Sequence, residues 1–158
     1  MASGKTSLGR ALAAALARPF VANDDQLLTM TGSTARELEA ARGRDELHEV
    51  ELAALEQALA TEEPCVVAAA ASTIDTDAGR AAIIARAHVA WIDAPAAVLA
   101  TRVGPPAGLR PTGTDVDSLT AQRDQRSGKL ESVAELVVSS DQAFEHSLEQ
   151  LVRWARQL

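Results

Sequence analysis

Apolar residues follow two rhythms along this chain, and the rhythms alternate. Between residues 45 and 60, Leu47, Val50, Leu52, Leu55 and Leu59 recur close to helical spacing among charged neighbours, which predicts an amphipathic helix. Elsewhere the apolar residues come in short unbroken runs. Cys65-Val66-Val67-Ala68-Ala69-Ala70 follows Pro64 and predicts a buried strand; His88-Val89-Ala90-Trp91-Ile92 and Leu136-Val137-Val138 predict two more. Arg18-Pro19-Phe20-Val21 predicts a short strand that runs into a polar turn at Asn23-Asp24-Asp25. The Ala/Leu-rich stretch from Leu8 to Leu16 predicts a helix, and a second starts at Gly32-Ser33, carries Ser33 and Glu37 near its N-terminus and stops at Gly43. Residues 77–87 and 93–103 predict two further helices, and Asp141 is placed as the cap of a terminal helix. Gly104-Pro105-Pro106-Ala107-Gly108 breaks the pattern. Strands alternating with helices of this length predict an α/β fold, with a parallel sheet covered on both faces.

Composition narrows the class. At 158 residues without an internal repeat or linker, the chain fits one domain with a real core. A formal charge of −7 and the lack of a basic run exclude nucleic acid as the expected partner, although local arginines still suit a small anion. Cys65 stands alone in an apolar run, so neither a disulfide framework nor a thiolate metal cluster is expected. No apolar run is long enough to cross a bilayer and no signal-peptide pattern is present, so a cytoplasmic enzyme is expected. Trp91 and Trp154 lie in apolar patterns and are expected in the core.

The strongest chemical signal is Met1-Ala2-Ser3-Gly4-Lys5-Thr6-Ser7, directly before the first helix. A P-loop reads G-x-x-x-x-G-K-[ST], and Gly4, Lys5 and Thr6 are its last three positions. Backbone N–H groups of Ser3 to Ser7 would face ATP phosphates, the Lys5 ammonium would reach the terminal phosphates, and the Thr6 hydroxyl would ligate Mg2+. The first Gly of the motif and the strand before it lie outside the sequence. An interrupted central strand is therefore expected, and with Met1 as the natural start so are weak ATP binding and low stability.

The order of further motifs resembles the shikimate kinase family, small P-loop kinases of the nucleoside-monophosphate-kinase type, over nearly the whole chain. Pro19-Phe20-Val21-Ala22-Asn23-Asp24 with Thr31-Gly32 resembles the P-F-x-D-x-D and T-G blocks. Gly43-Arg44-Asp45-Glu46-Leu47-His48-Glu49-Val50-Glu51 corresponds to G-E-x-x-F-R-x-x-E, and Val66 to Ser72 to the strand V-x-[AS]-x-G-G-G. Ile92-Asp93-Ala94-Pro95 matches L-D-A-P; Arg110-Pro111 and Arg126-Ser127-Gly128-Lys129-Leu130 resemble the lid and the block after it. The resemblance implies a three-layer α/β/α P-loop kinase whose first central strand is missing. It also implies a single domain spanning residues 1–158 and a lid at about residues 104–114.

The same resemblance implies ATP-dependent phosphorylation of a hydroxyl on a small carboxylated metabolite, with shikimate leading. Lys5, Asp24 and Arg110 are the implied catalytic residues. Asp24, His48, Ser72 and Arg126 fall on acceptor-binding positions, and Arg102 and Arg110 join the P-loop residues at the nucleotide. Several positions depart from the pattern. Ala22 replaces a carboxylate linked to the magnesium shell, His48 replaces an arginine that binds the acceptor's carboxylate, and Ala70-Ala71-Ser72 replaces three glycines. Side chains there restrict the backbone, so the pocket floor is rewritten while the nucleotide side is kept.

Each position also has a plainer reading. Asp24 suits a turn or N-cap, Arg102 a helix-dipole partner, Arg110 a solvated loop charge, and Arg126 and His48 solvated helix residues. Asp75 and Asp77 either replace the lost metal-shell carboxylate or cap the next helix. Two rival functions remain: a kinase of this fold acting on another polyol, sugar acid or nucleotide, and a non-catalytic nucleotide-binding protein. A monomer is expected.

Overall fold

A computed structural model describes residues 3–103 and 115–158. Helix α1 (Lys5–Leu16) leads into β1 (Phe20–Ala22), α2 (Asn23–Thr31), α3 (Ala35–Arg42) and α4 (Arg44–Leu59). Then come β2 (Val66–Ala68), a 3-10 turn (Ala71–Ile74), α5 (Asp77–Arg86), β3 (Ala90–Asp93) and α6 (Ala96–Val103). Helix α7 (Val116–Glu131), β4 (Leu136–Ser139) and α8 (Phe144–Ala155) complete the described order. The mixed architecture with parallel strand pairs is the α/β fold that the alternation predicts.

Neighbouring residues in a strand point to opposite faces, and β2 shows how this builds the layers. Val66 packs with Leu8 and Leu12 of α1 and with Leu151 and Ala155 of α8. Val67, the next residue, packs instead with Leu55 of α4 and Ile83 of α5. Ala90, Ile92, Leu136 and Val138 join the α1/α8 face, so that one helical layer spans all of β2, β3 and β4. Trp154 packs on this core from a half-buried position, and Trp91 is also half-buried rather than enclosed.

The strands pair in parallel, but as two separate ribbons. Phe20, Val21 and Ala22 of β1 face Val66, Val67 and Ala68 of β2. Ala90 to Asp93 of β3 face Leu136 to Ser139 of β4. Among the described residues β2 and β3 do not pair, so the sheet is divided between the two ribbons.

Local chemistry corrects several boundaries. Asn23-Asp24-Asp25 is the first turn of α2 rather than a loop; Asp24 and Asp25 place negative charge at the positive end of the helix dipole. Thr34, not Ser33, caps α3: its Oγ1 accepts from the Glu37 N–H at 3.3 Å, while its own N–H donates to Glu37 Oε2 at 2.8 Å. Thr76 caps α5 by accepting from the Gly79 N–H at 3.1 Å. Asp141 does not cap α8, which begins after Ala143; the Asp141 carboxylate accepts from Ser139 Oγ instead. Cys65 is half-buried, and burial followed by the nearby Glu63 charge pushes its thiol pKa up. No described helix is long and apolar enough to cross a membrane.

Candidate active site

Gly4 takes a left-handed conformation, φ 84°, immediately before α1, where a side chain would be strained. No side chain caps the helix. Leu8 N–H is the first to bond back, to the Gly4 carbonyl at 2.9 Å, which leaves the N–H groups of Lys5, Thr6 and Ser7 directed out of the helix start. Three aligned donors at the positive end of a dipole suit an anion such as a phosphate chain. Ser3 and Lys5 are half-buried beside them, while the Thr6 and Ser7 side chains are exposed. Burial lowers the Lys5 pKa, and attraction to Asp24 and Glu51 partly offsets this. The lysine thus sits between the phosphate-facing helix end and two carboxylates.

Glu51 is the hub of the neighbouring pocket. It lies one helical turn beyond His48 on α4, is only 8% exposed, and accepts a hydrogen bond from Ser72 Oγ on the 3-10 turn. Burial raises its pKa; the Ser72 bond, the His48 charge and the Arg126 charge pull the other way, while Asp24 adds repulsion. Lys5, Asp24, His48, Ser72 and Arg126, drawn from five separate elements, therefore converge on one carboxylate. Asp24 itself is exposed on the first turn of α2.

Arg126 of α7 is engaged from below. Its Nε lies 3.0 Å and its Nη2 2.7 Å from Asp75 Oδ2, with a further Nε contact of 3.2 Å to Oδ1. Lys129 Nζ stands 3.4 Å from Asp75 Oδ1. Burial alone would raise the Asp75 pKa, but the hydrogen bonds and charges of Arg126 and Lys129 outweigh it and hold the carboxyl low. Asp75 is therefore neither the cap of α5 nor an unengaged metal-shell carboxylate. Asp77 pairs with Arg80 in the first turn of α5. Among the described residues no group of three or more His, Cys, Asp or Glu is placed to hold a metal ion.

Arg102 falls outside this convergence. At the end of α6 it donates to Ser140 Oγ at 3.0 Å and to the Ser140 carbonyl, which anchors it over the loop following β4. The Ser140 N–H bonds the Asp93 carbonyl at 2.8 Å, and the Asp93 carboxylate receives Arg123 Nε at 3.0 Å and Nη2 at 2.7 Å. Arg110 and the expected lid at residues 104–114 lie outside the described residues. Sequence reasoning gave no role to Glu51 or Arg123, and the pairing of Asp75 with Arg126 matches neither role it offered for Asp75. Glu51 carried a signal, its place one turn after His48 at the end of a motif; Arg123 carried none beyond its charge.

A sequence model of the shikimate kinase family matches residues 1–156. The chain belongs to the shikimate kinase family. It is 36% identical over 115 residues to shikimate kinase 2 of Syntrophotalea carbinolica, an alignment covering 72% of this chain and 66% of that protein. It is 29% identical over 149 residues to the shikimate kinase of Salinibacter ruber, covering 94% of this chain and 72% of that one. Among solved structures, the shikimate kinase of Acinetobacter baumannii in complex with shikimate superposes with a TM-score of 0.85 at 21% identity, over 99% of this chain and 87% of the other. That of Bacteroides thetaiotaomicron gives 0.83 at 21% identity, over 99% and 94%. The fold is thus the P-loop kinase fold of this family, and family membership favours an ATP-dependent phosphotransferase with an alcohol acceptor over a non-catalytic binding module.

Proposed function

We propose that this chain transfers the terminal phosphoryl group of ATP to a hydroxyl of shikimate. The observation that carries the reading is the convergence of Lys5, Asp24, His48, Ser72 and Arg126 on Glu51, beside a helix start with three outward N–H groups. The ATP phosphates bind the N–H groups of Lys5, Thr6 and Ser7, and the Lys5 ammonium meets the terminal phosphate. Its burial strengthens that attraction by keeping water away. Asp24 orients the acceptor hydroxyl and takes its proton as the acceptor oxygen bonds to phosphorus and the bond to the ADP oxygen breaks. Arg126 holds the acceptor's carboxylate, with His48 and Ser72 lining the same pocket.

The exposed Thr6 hydroxyl at the helix start would ligate Mg2+ bound with the nucleotide. With Ala22 where a carboxylate is expected, phosphate oxygens and water would supply the remaining ligands, a donor set that suits this ion. Bound there, the ion neutralises phosphate charge. Arg102, fixed by Ser140, offers a guanidinium plane to the base of the nucleotide. We place the enzyme in the cytoplasm as a monomer that binds no nucleic acid.

The test is ADP release with and without shikimate, alongside a panel of small hydroxy acids and polyols. Shikimate-dependent ADP release supports the reading. Intact ATP binding without it sinks the assignment to shikimate.

A further inference from the structure

The 3-10 turn Ala71–Ile74 and the residue after it tie together the two helices that carry acceptor-binding candidates. Ser72 reaches Glu51 on α4, and Asp75 reaches Arg126 on α7. The turn is itself fixed from behind: Arg80 Nη1 donates to the Ile74 carbonyl at 2.6 Å, and Gly79 lies directly under Thr73. Asp75 is therefore attached to a rigid base.

A guanidinium is a planar fork with two bidentate edges. Asp75 occupies the side edge, through Nε and Nη2. Nη1 makes no hydrogen bond among the described residues, so the end edge is left for another carboxylate. We infer that Asp75 is a positioning residue for acceptor recognition: it grips Arg126 by one edge so that the other is presented to the acceptor's carboxylate. The inference rests on the function proposed above.

Two physical arguments favour positioning over competition. A free arginine loses rotamer freedom when it closes on a ligand, and a pre-formed ion pair moves that loss from binding to folding. The charge balance also remains favourable. Arg126 and Lys129 carry two positive charges against the one negative charge of Asp75, so the cluster still attracts an anion. A second carboxylate on Arg126 would be repelled by Asp75, and Lys129 screens that repulsion.

Asp75→Ala and Asp75→Asn test this in the full chain. Binding of shikimate and of its neutral methyl ester is measured by calorimetry without turnover, and kcat and KM are measured separately. Asp75→Ala is expected to weaken shikimate binding about tenfold, with a matching rise in KM and kcat within about twofold, because one charge-assisted contact is no longer held in place. Methyl ester binding and ATP affinity stay unchanged. Asp75→Asn keeps one acceptor oxygen and is expected to lose about threefold. Tighter shikimate binding in Asp75→Ala would show that Asp75 competes with the acceptor and would overturn the inference. An equal loss for shikimate and ester would reduce Asp75 to a structural role, with the same consequence. If the unmodified protein binds shikimate without phosphorylating it, the kinase reading fails while the binding comparison still decides the role of Asp75. If it binds acid and ester equally, or neither, Arg126 holds no carboxylate and the inference fails.

Discussion

The two halves of the candidate site deal with their polar groups in opposite ways. At the start of α1 the N–H groups of Lys5, Thr6 and Ser7 have no partner among the described residues, and the Thr6 and Ser7 side chains are exposed. Around the 3-10 turn, Glu51 has Ser72 and Arg126 has Asp75. A helix start needs only backbone to bind phosphate, so few side chains specify it. An acceptor pocket is built from side chains, and here they hold one another. The nucleotide half is therefore expected to respond to loss of a charge, and the acceptor half to loss of a contact within the protein.

Lys5→Ala should produce the largest effect, lowering kcat/KM by about 100- to 1,000-fold through loss of charge stabilisation at the transferred group. Thermal melting should change little, which separates a rate effect from unfolding. Gly79→Ala should strike the other half. A Cβ at Gly79 would stand 1.8 Å from the Thr73 carbonyl oxygen, so the turn must move, at a cost of about 3 kcal/mol in denaturant unfolding. In the surviving folded protein, shikimate KM should rise while ATP binding holds. An equal loss of both would erase the contrast between the halves.

Ser72→Ala should cost about 2 kcal/mol, since it strips a buried carboxylate of its hydrogen bond. It also raises the Glu51 pKa further, and stability against pH reads this out. A carboxyl whose folded pKa is raised binds an extra proton in the folded state, so stability falls as pH rises from its unfolded pKa through its folded one. Asp75 acts in the opposite sense: its depressed pKa contributes stability above the unfolded value, and this is lost as pH falls through the folded value. Unfolding followed across the acid range should show both slopes, with only the Glu51 slope extended upward in Ser72→Ala. Arg102→Ala should have the smallest effect, an ATP KM raised about threefold from loss of an exposed cation over the base. No change in ATP KM would leave Arg102 a brace for Ser140.

The legible parts of the molecule were those whose information is local. Helices α1, α4 and α5 announce themselves through spacing or composition, and Gly4, Lys5 and Thr6 through a contiguous motif. Helix α7 is foreshadowed only by the helical reading of Arg126, and its bounds are not legible because it buries only Leu119 and carries Ser127 and Gly128 inside it, so no apolar stripe marks it. The start of α2 reads as a turn in the sequence because Asn and Asp serve both roles. Asp24, His48, Ser72 and Arg126 were found by resemblance. The pairing of Arg126 with Asp75 joins residues 51 positions apart, a contact that neither propensity nor motif records. Glu51 could be seen as a charge, but its burial could be seen only in the fold.

The division of the sheet bears on handling as well as on architecture. β2 and β3 each present an edge of backbone donors and acceptors that no described strand occupies. Such an edge is a template for any extended chain, including a second copy of this one. β2 also leads into the 3-10 turn that carries Ser72, so a segment paired along that edge would border the acceptor half of the site.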